Sequence, residues 1–477
     1  MRSSAVRSAP SALAVLALLA GCAGPRPAPP PDAAVTPPTA WRTPVGQAAA
    51  EVSATWWDDF GDPGLTRIVA AALANNDDIQ IAAARVEEFL AQSELAHAQR
   101  FPRVDGAFVA ERERSINPGF GFPETQTITE PAITMSFDTD LFGRLRAASA
   151  AARSSLLATR AAQADVQLLV AATAARQWFS LRALDARLAT LKATLEARSQ
   201  TLALVRRRVT VGYAAQLDLA QAESEYRATE QQIPATEQSI YRTENALCLL
   251  LGRNPGPIDR GDPALEPALP AIPAGMPSAL LRRRPDIVEA EERLVAADRS
   301  LDASRAAFMP DLQLSATFGR VTTSLIERDP ISVFTLGASV LAPIFDAGRL
   351  KAQQDSTAAR RNEAAFAYRR AALTAFSDVE NALSATQRLR EQLDSLAAQQ
   401  SALQRTLAIA SQRYKAGYSP FLDQLDAQRG LLSVQLALSQ TRADQLSAYV
   451  TLFQALGGGW DRALIDGPIQ AAKAAAP

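Results

Sequence analysis

The sequence predicts a mainly α-helical chain that carries a β-barrel segment and is built as a two-fold internal repeat. Three observations predict this. Motifs recur about 205 residues apart, two 68-residue windows contain neither Gly nor Pro, and four stretches alternate apolar and polar residues with a period of two. A length of 477 residues with 48% hydrophobic and 21% charged content suits two or three compact domains rather than a disordered chain. A net charge of -1 gives no electrostatic footprint for nucleic acid. One histidine, His97, and two cysteines, Cys22 and Cys248, do not make the clustered ligand set of a metal site. No cofactor is expected.

The chain opens on an address. Arg2 and Arg7 precede an apolar run from Ala12 to Leu19, which is far shorter than the roughly 20 residues of a spanning helix. Residues 1–21 therefore read as a signal peptide. Leu19, Ala20, Gly21 and Cys22 then resemble the lipobox cut by lipoprotein signal peptidase, which implies that Cys22 becomes an acylated first residue. The alternative is an ordinary signal peptide with Cys22 incidental. Ala23 stands where that pattern's inner-membrane retention signal would be Asp, so outer-membrane sorting is favoured. Residues 22–50 hold Pro25, Pro27, Pro29, Pro30, Pro31, Pro37, Pro38 and Pro44, a composition that forbids helix and stiffens the chain into an extended tether.

The repeat organises the remainder. Asn76 to Ile79, Arg85 and Ala98 to Pro102 match Arg284 to Ile287, Arg293 and Ala306 to Pro310 at an offset of 208. Gly143 and Arg144 match Gly348 and Arg349 at 205, as do Val211 to Tyr213 with Ala416 to Tyr418, and Leu217 and Asp218 with Leu422 and Asp423. Residues 51–270 and 271–460 are accordingly two copies of one structural half, followed by a tail over 461–477. The Gly- and Pro-free windows run from Arg144 to Val211 and from Arg349 to Ala416. Each is dense in strong helix formers and carries helical apolar spacing, as in Leu184, Leu188, Leu191 and Leu195. An unbroken helix of that length would measure about 100 Å, so such helices must lie side by side. A soluble coiled-coil scaffold would share this feature.

Alternation marks the strands. Ile133, Met135 and Phe137 alternate with Thr134, Ser136 and Asp138. Leu312, Leu314, Ala316 and Phe318 alternate with polar residues, as do Phe334, Leu336, Ala338 and Val340, while Val104 to Ala110 is a weaker version. One hairpin per half follows, at about 103–142 and 311–345. Four strands cannot close a membrane barrel, which needs about eight. Cyclic assembly supplies the others: two copies give eight strands, three give twelve. A soluble four-stranded sheet capped by helices fits poorly with helices far longer than the sheet.

These residues carry a resemblance. The chain resembles the TolC-like outer-membrane factor family, and more narrowly its lipoprotein branch, the outer-membrane channels of tripartite efflux pumps. The match includes Trp56 to Pro63, Ala72 to Asn76, Leu141 to Arg144, Arg283 to Ile287, Pro343 to Phe345, Gly348 to Leu350, Leu425 to Gln428 and Leu456 to Trp460. The resemblance implies a homotrimer with a twelve-stranded outer-membrane barrel, continued by a long periplasmic α-helical barrel and anchored by lipid. It also implies a periplasmic adaptor and an inner-membrane transporter of the RND type as partners.

Gly212 and Gly417 end the long helices, where a residue without Cβ takes positive φ and reverses the chain. The family's adaptor-docking turns match Arg208, Gly212, Arg413 and Gly417. Beyond the second turn Leu422, Asp423 and Asp426 fall on a short helical stretch, and the four-residue spacing puts Leu422 and Asp426 on one face. In the lipoprotein branch the matching positions form an apolar and an acidic ring that constrict the resting channel. The first half departs here, with Leu217 opposite Leu422 but Gln221 opposite Asp426. No nucleophile, base or phosphate-cradling motif appears, so an enzyme is not expected. An exit duct for protein secretion is the competing transport reading, and the lipobox and the closing Gly457 to Trp460 favour efflux.

Overall fold

The computed structural model describes residues 26–43, 52–116, 119, 121–261, 266–272, 277–324, 330–460 and 462–466. The expected signal peptide over residues 1–21, Cys22 and most of the C-terminal tail lie outside the described residues. Mainly helical, the chain carries one antiparallel sheet and divides into two compact units that cut across the sequence halves.

The first unit comprises residues 1–34, 85–160 and 289–370. It holds strands β1 (Arg103–Ile116), β2 (Pro123–Asp138), β3 (Asp311–Thr323) and β4 (Ile331–Leu341), hydrogen-bonded in the order β1-β2-β3-β4. β1 pairs with β2 from Arg103 against Ser136 to Ile116 against Pro123. β2 meets β3 between Ile128 against Thr323 and Asp138 against Gln313, joining the two halves of the sequence. Every residue of β1 is exposed, as are Phe334, Leu336 and Val340 of β4. Alternation along these strands therefore sorts side chains between two faces without burying either within one chain.

Two helices of 67 residues follow the hairpins, α3 (Arg144–Thr210) and α8 (Arg349–Lys415). Carboxylates start both. Asp140 accepts the backbone N–H groups of Leu145 and Arg146, each at 2.8 Å, and Asp346 accepts those of Gly348 at 3.0 Å and Leu350 at 2.8 Å. These bonds satisfy donors that the first helical turn leaves orphaned, and place negative charge at the positive end of the helix dipole.

Of the Pro-rich stretch, residues 26–43 are described, and they pack on helices. Arg26 pairs with Asp298 and Asp302, and the buried Arg361 donates to the carbonyls of Pro27 and Ala28, both at 3.0 Å. Proline has no N–H to donate, but its carbonyl is a strong acceptor, and a buried guanidinium has five donors to satisfy. The described part of this stretch is therefore a strap laid on helices.

The second unit comprises residues 35–84, 161–288 and 371–477. Besides parts of the long helices it holds α1 (Pro63–Asn75), α4 (Gln216–Glu230), α5 (Gln232–Leu250), α6 (Pro277–Arg283), α9 (Phe421–Ala455) and α10 (Ala463–Asp466). α2 (Asp77–Ala98) and α7 (Pro285–Ala306) are shared with the first. Its main core gathers Trp56, Phe60, Trp178, Phe179 and Phe453 with a run of buried alanines, Ala171, Ala172, Ala174 and Ala175. Trp56 stacks on Phe453 with ring centroids 5.5 Å apart, and the alanines let neighbouring backbones approach closely. Strap residues reach this unit too, with Val35 and Trp41 packed against a second cluster around Phe376 and Leu452. Cys248 is a packing residue whose thiol donates to the Gly256 carbonyl at 3.3 Å. His97 lies in the last turn of α2, edge-on to Phe101.

Candidate functional site

Both long helices end in the same backbone motif. Gly212 has φ +80° and Gly417 φ +79°. Tyr213 N–H reaches the Arg208 carbonyl and Tyr418 N–H the Arg413 carbonyl, both at 2.8 Å; Gly212 N–H bonds Val209 and Gly417 N–H bonds Tyr414, both at 3.1 Å. This paired closure satisfies carbonyls at a helix C-terminus and requires a left-handed residue between the two bonds. Tyr213 and Tyr418 project beyond the turns almost fully exposed.

The two tip arginines differ. Arg413 is exposed. Arg208 is engaged: its guanidinium donates to the carbonyls of Tyr414 at 3.1 Å and Lys415 at 2.9 Å and lies 4.8 Å from the centroid of the Tyr414 ring. A cation over the last carbonyls of α8 is favourable through the helix dipole, so Arg208 staples one tip turn to the other. The family resemblance placed Arg208 at the turn without revealing these bonds.

Beyond the second turn Leu422, Asp423 and Asp426 are exposed on the first two turns of α9. Leu425 and Phe421 face inward from the same turns, in a cluster with Val205, Ala222 and Tyr414. The three candidate gate residues thus share the free face of a helix whose other face is anchored. That helix is 35 residues long rather than the short stretch suggested by the spacing. Its counterpart in the first half breaks into α4 and α5 beside Pro234, which cannot donate to the carbonyl four residues back.

Asp426 adjoins Arg429, which belongs to a charged cluster with Glu225 and Arg198. Glu225 on α4 accepts from Arg429 Nε at 2.7 Å and pairs with Arg198 Nη1 at 2.9 Å, while Arg429 Nη1 lies 3.6 Å from Asp426 Oδ1. Burial lowers the Arg198 guanidinium from its ordinary value, and the Glu225 charge opposes that shift. Only the Asp426 and Arg429 pair, three apart on one helix, is legible locally. Among the described residues no group of carboxylate, histidine and cysteine side chains is arranged to hold a metal ion.

The model of the outer membrane efflux protein family matches residues 68–253 and 276–458. The chain belongs to this family. Among its relatives, the solvent efflux pump outer membrane protein SrpC of Pseudomonas putida is 34% identical over 407 residues, spanning 84% of this chain and 86% of that protein. The pyoverdine export outer membrane protein OpmQ of Pseudomonas putida is 34% identical over 457 residues, covering 93% and 96%. Solved structures agree: the outer-membrane channel OprN superimposes with a TM-score of 0.84 at 27% identity, covering 92% of this chain and all of that one. The open-state MtrE channel of Neisseria gonorrhoeae gives 0.80 at 28% identity, covering 92% and 98%. This member of the outer membrane efflux protein family functions as an outer-membrane efflux channel, and its relatives are channel proteins rather than enzymes.

Proposed function

We propose that three copies of this chain form the exit duct of a tripartite pump, conducting small molecules passively from a periplasmic adaptor and an RND-type inner-membrane transporter to the exterior. The observation that carries the reading is the open sheet. Among the described residues β1 and β4 each have an edge without a partner strand, and in lipid such backbone groups cost several kcal/mol each if left unpaired. Pairing β4 of one copy with β1 of the next gives a closed barrel of twelve strands. Equal long helices and matching tip turns support two structural repeats, over 51–270 and 271–460, which would place helices of each copy around a common axis. Cys22 would carry the acyl anchor, and the turns at Arg208, Gly212, Arg413 and Gly417 would face the adaptor.

In this reading Leu422 and Asp426, with Asp423 beside them, narrow the resting duct as rings. Three leucines exclude water, and three carboxylates attract cations. The experiment is single-channel recording in planar bilayers. Leu422→Ala raises conductance by removing the apolar plug, Asp426→Ala weakens cation preference, and Gln221→Ala, at the matching uncharged position, changes neither. Parental conduction and selectivity in both gate variants would place the constriction elsewhere.

A further inference from the structure

The Glu225 carboxylate is shared by two guanidiniums on different helices. On α3, Arg198 is 5% exposed and donates to the Glu225 carbonyl at 2.7 Å and to Thr229 Oγ1 at 2.5 Å, besides its ion pair with the carboxylate. On α9, Arg429 approaches the same carboxylate through Nε at 2.7 Å and Nη2 at 2.6 Å. Asp426 competes for Arg429 from one helical turn away, but its carboxylate stands farther off at 3.6 Å and is mostly solvent-facing.

The second half of the chain shows that these charges are not required for packing. The positions 205 residues beyond Arg198 and Glu225 are Leu403 and Gly430. They too meet: a Cβ built on Gly430 would lie 3.0 Å from Leu403 Cδ2. A leucine against a glycine thus makes the helix contact that the first half makes with a buried ion pair, and that contact costs no desolvation of charge. The position matching Arg429 is Ser224, so the Leu403–Gly430 contact has no charged third member either.

We infer that Glu225 is a positioning residue for the gate: braced by Arg198, it holds Arg429 away from Asp426, tying the gate turn of α9 to α3 and α4 while leaving the Asp426 charge free to act on ions. This rests on the gate reading above. Two consequences follow from one carboxylate. The tie opposes movement of α9, and sequestration of Arg429 preserves the acidic ring.

The two consequences separate in single-channel records of detergent-purified, reconstituted protein whose assembly matches the parent by native mass spectrometry. Glu225→Gln frees Arg429 to neutralise Asp426, so open time rises by about fivefold or more, the lower end of couplings between linked sites, while cation preference falls toward that of Asp426→Ala. Arg429→Gln cuts the same tie without stranding a buried charge, so open time rises equally but cation preference is kept or increased. In Glu225→Gln/Arg429→Gln the lost preference returns, an outcome that loosened packing alone does not produce. Glu225→Asp retains most of the parental behaviour. If Asp426→Ala and Leu422→Ala conduct like the parent, the gate reading fails and this inference with it. If those two variants change conduction while Glu225→Gln and Arg429→Gln do not, or if both lower cation preference alike, the gate stands and the role given to Glu225 is overturned.

Discussion

At Gly212 and Gly417 nothing lies within 4 Å of where a Cβ would sit, so the requirement for glycine is conformational rather than steric. Replacing either by Ala should cost about 1 to 2 kcal/mol, the penalty of holding an L-residue in the left-handed region, and lower the thermal midpoint of the purified protein. Asp165 on α3 is a different case. Burial, with the Asp286 charge nearby, lifts its carboxyl from 3.8 to about 6 against the pull of Arg284. The folded state then binds more protons than the unfolded state between those values, so stability falls as pH rises through that window, by at most roughly 3 kcal/mol. Asp165→Asn should raise the denaturant midpoint above about pH 6 and leave it unchanged below about pH 4. Of the candidate gate, a four-residue spacing gives only that Leu422 and Asp426 share a helix face, and the role proposed for them comes from the resemblance. Glu225 and Arg429 are some two hundred residues apart, and no local pattern links them.

The start of α1 shows how an element is set by a few groups. Asp62, almost wholly buried, accepts the N–H groups of Gly64 at 2.8 Å and Leu65 at 3.2 Å, and also the indole N–H of Trp178 at 2.7 Å. Gly64 has no room for a side chain, since a Cβ would stand 2.5 Å from the Trp178 ring. Asp62→Ala should therefore destabilise by about 2 to 4 kcal/mol, combining a lost N-cap with a stranded buried indole, as read by urea unfolding of the reconstituted protein. Asp62→Asn, which keeps an acceptor, should cost less. The long helices were legible because both windows lack Gly and Pro, are dense in helix formers and carry helical apolar spacing, whereas the caps at Asp140 and Asp346 are seen only in the structure. The strap was not. Its prolines report the backbone conformation, while its docking depends on Arg361 and Glu380, more than three hundred residues away.

For the whole molecule, the open edges of β1 and β4 lead to the expectation that detergent-extracted protein runs as three copies by native mass spectrometry, and a stable folded monomer would contradict barrel closure. Cys22→Ser should abolish labelling by a radiolabelled fatty acid, while assembly survives, because one acyl chain is a weak anchor beside a barrel. The proposed repeat was read from recurring motifs, among them the turns at Gly212 and Gly417. The sequence did not reveal that each compact unit draws on both halves. The register of β2 against β3 also imposes an order in time. Ile128 pairs with Thr323, so this seam closes a loop of nearly two hundred residues, whereas each flanking hairpin closes within a short turn. Loop closure of that length is slow, and the seam must wait until β3 has been exported. Until then β2 is paired on one side only, by β1, and its other edge is an open row of backbone donors and acceptors of the kind that invites pairing with a second chain.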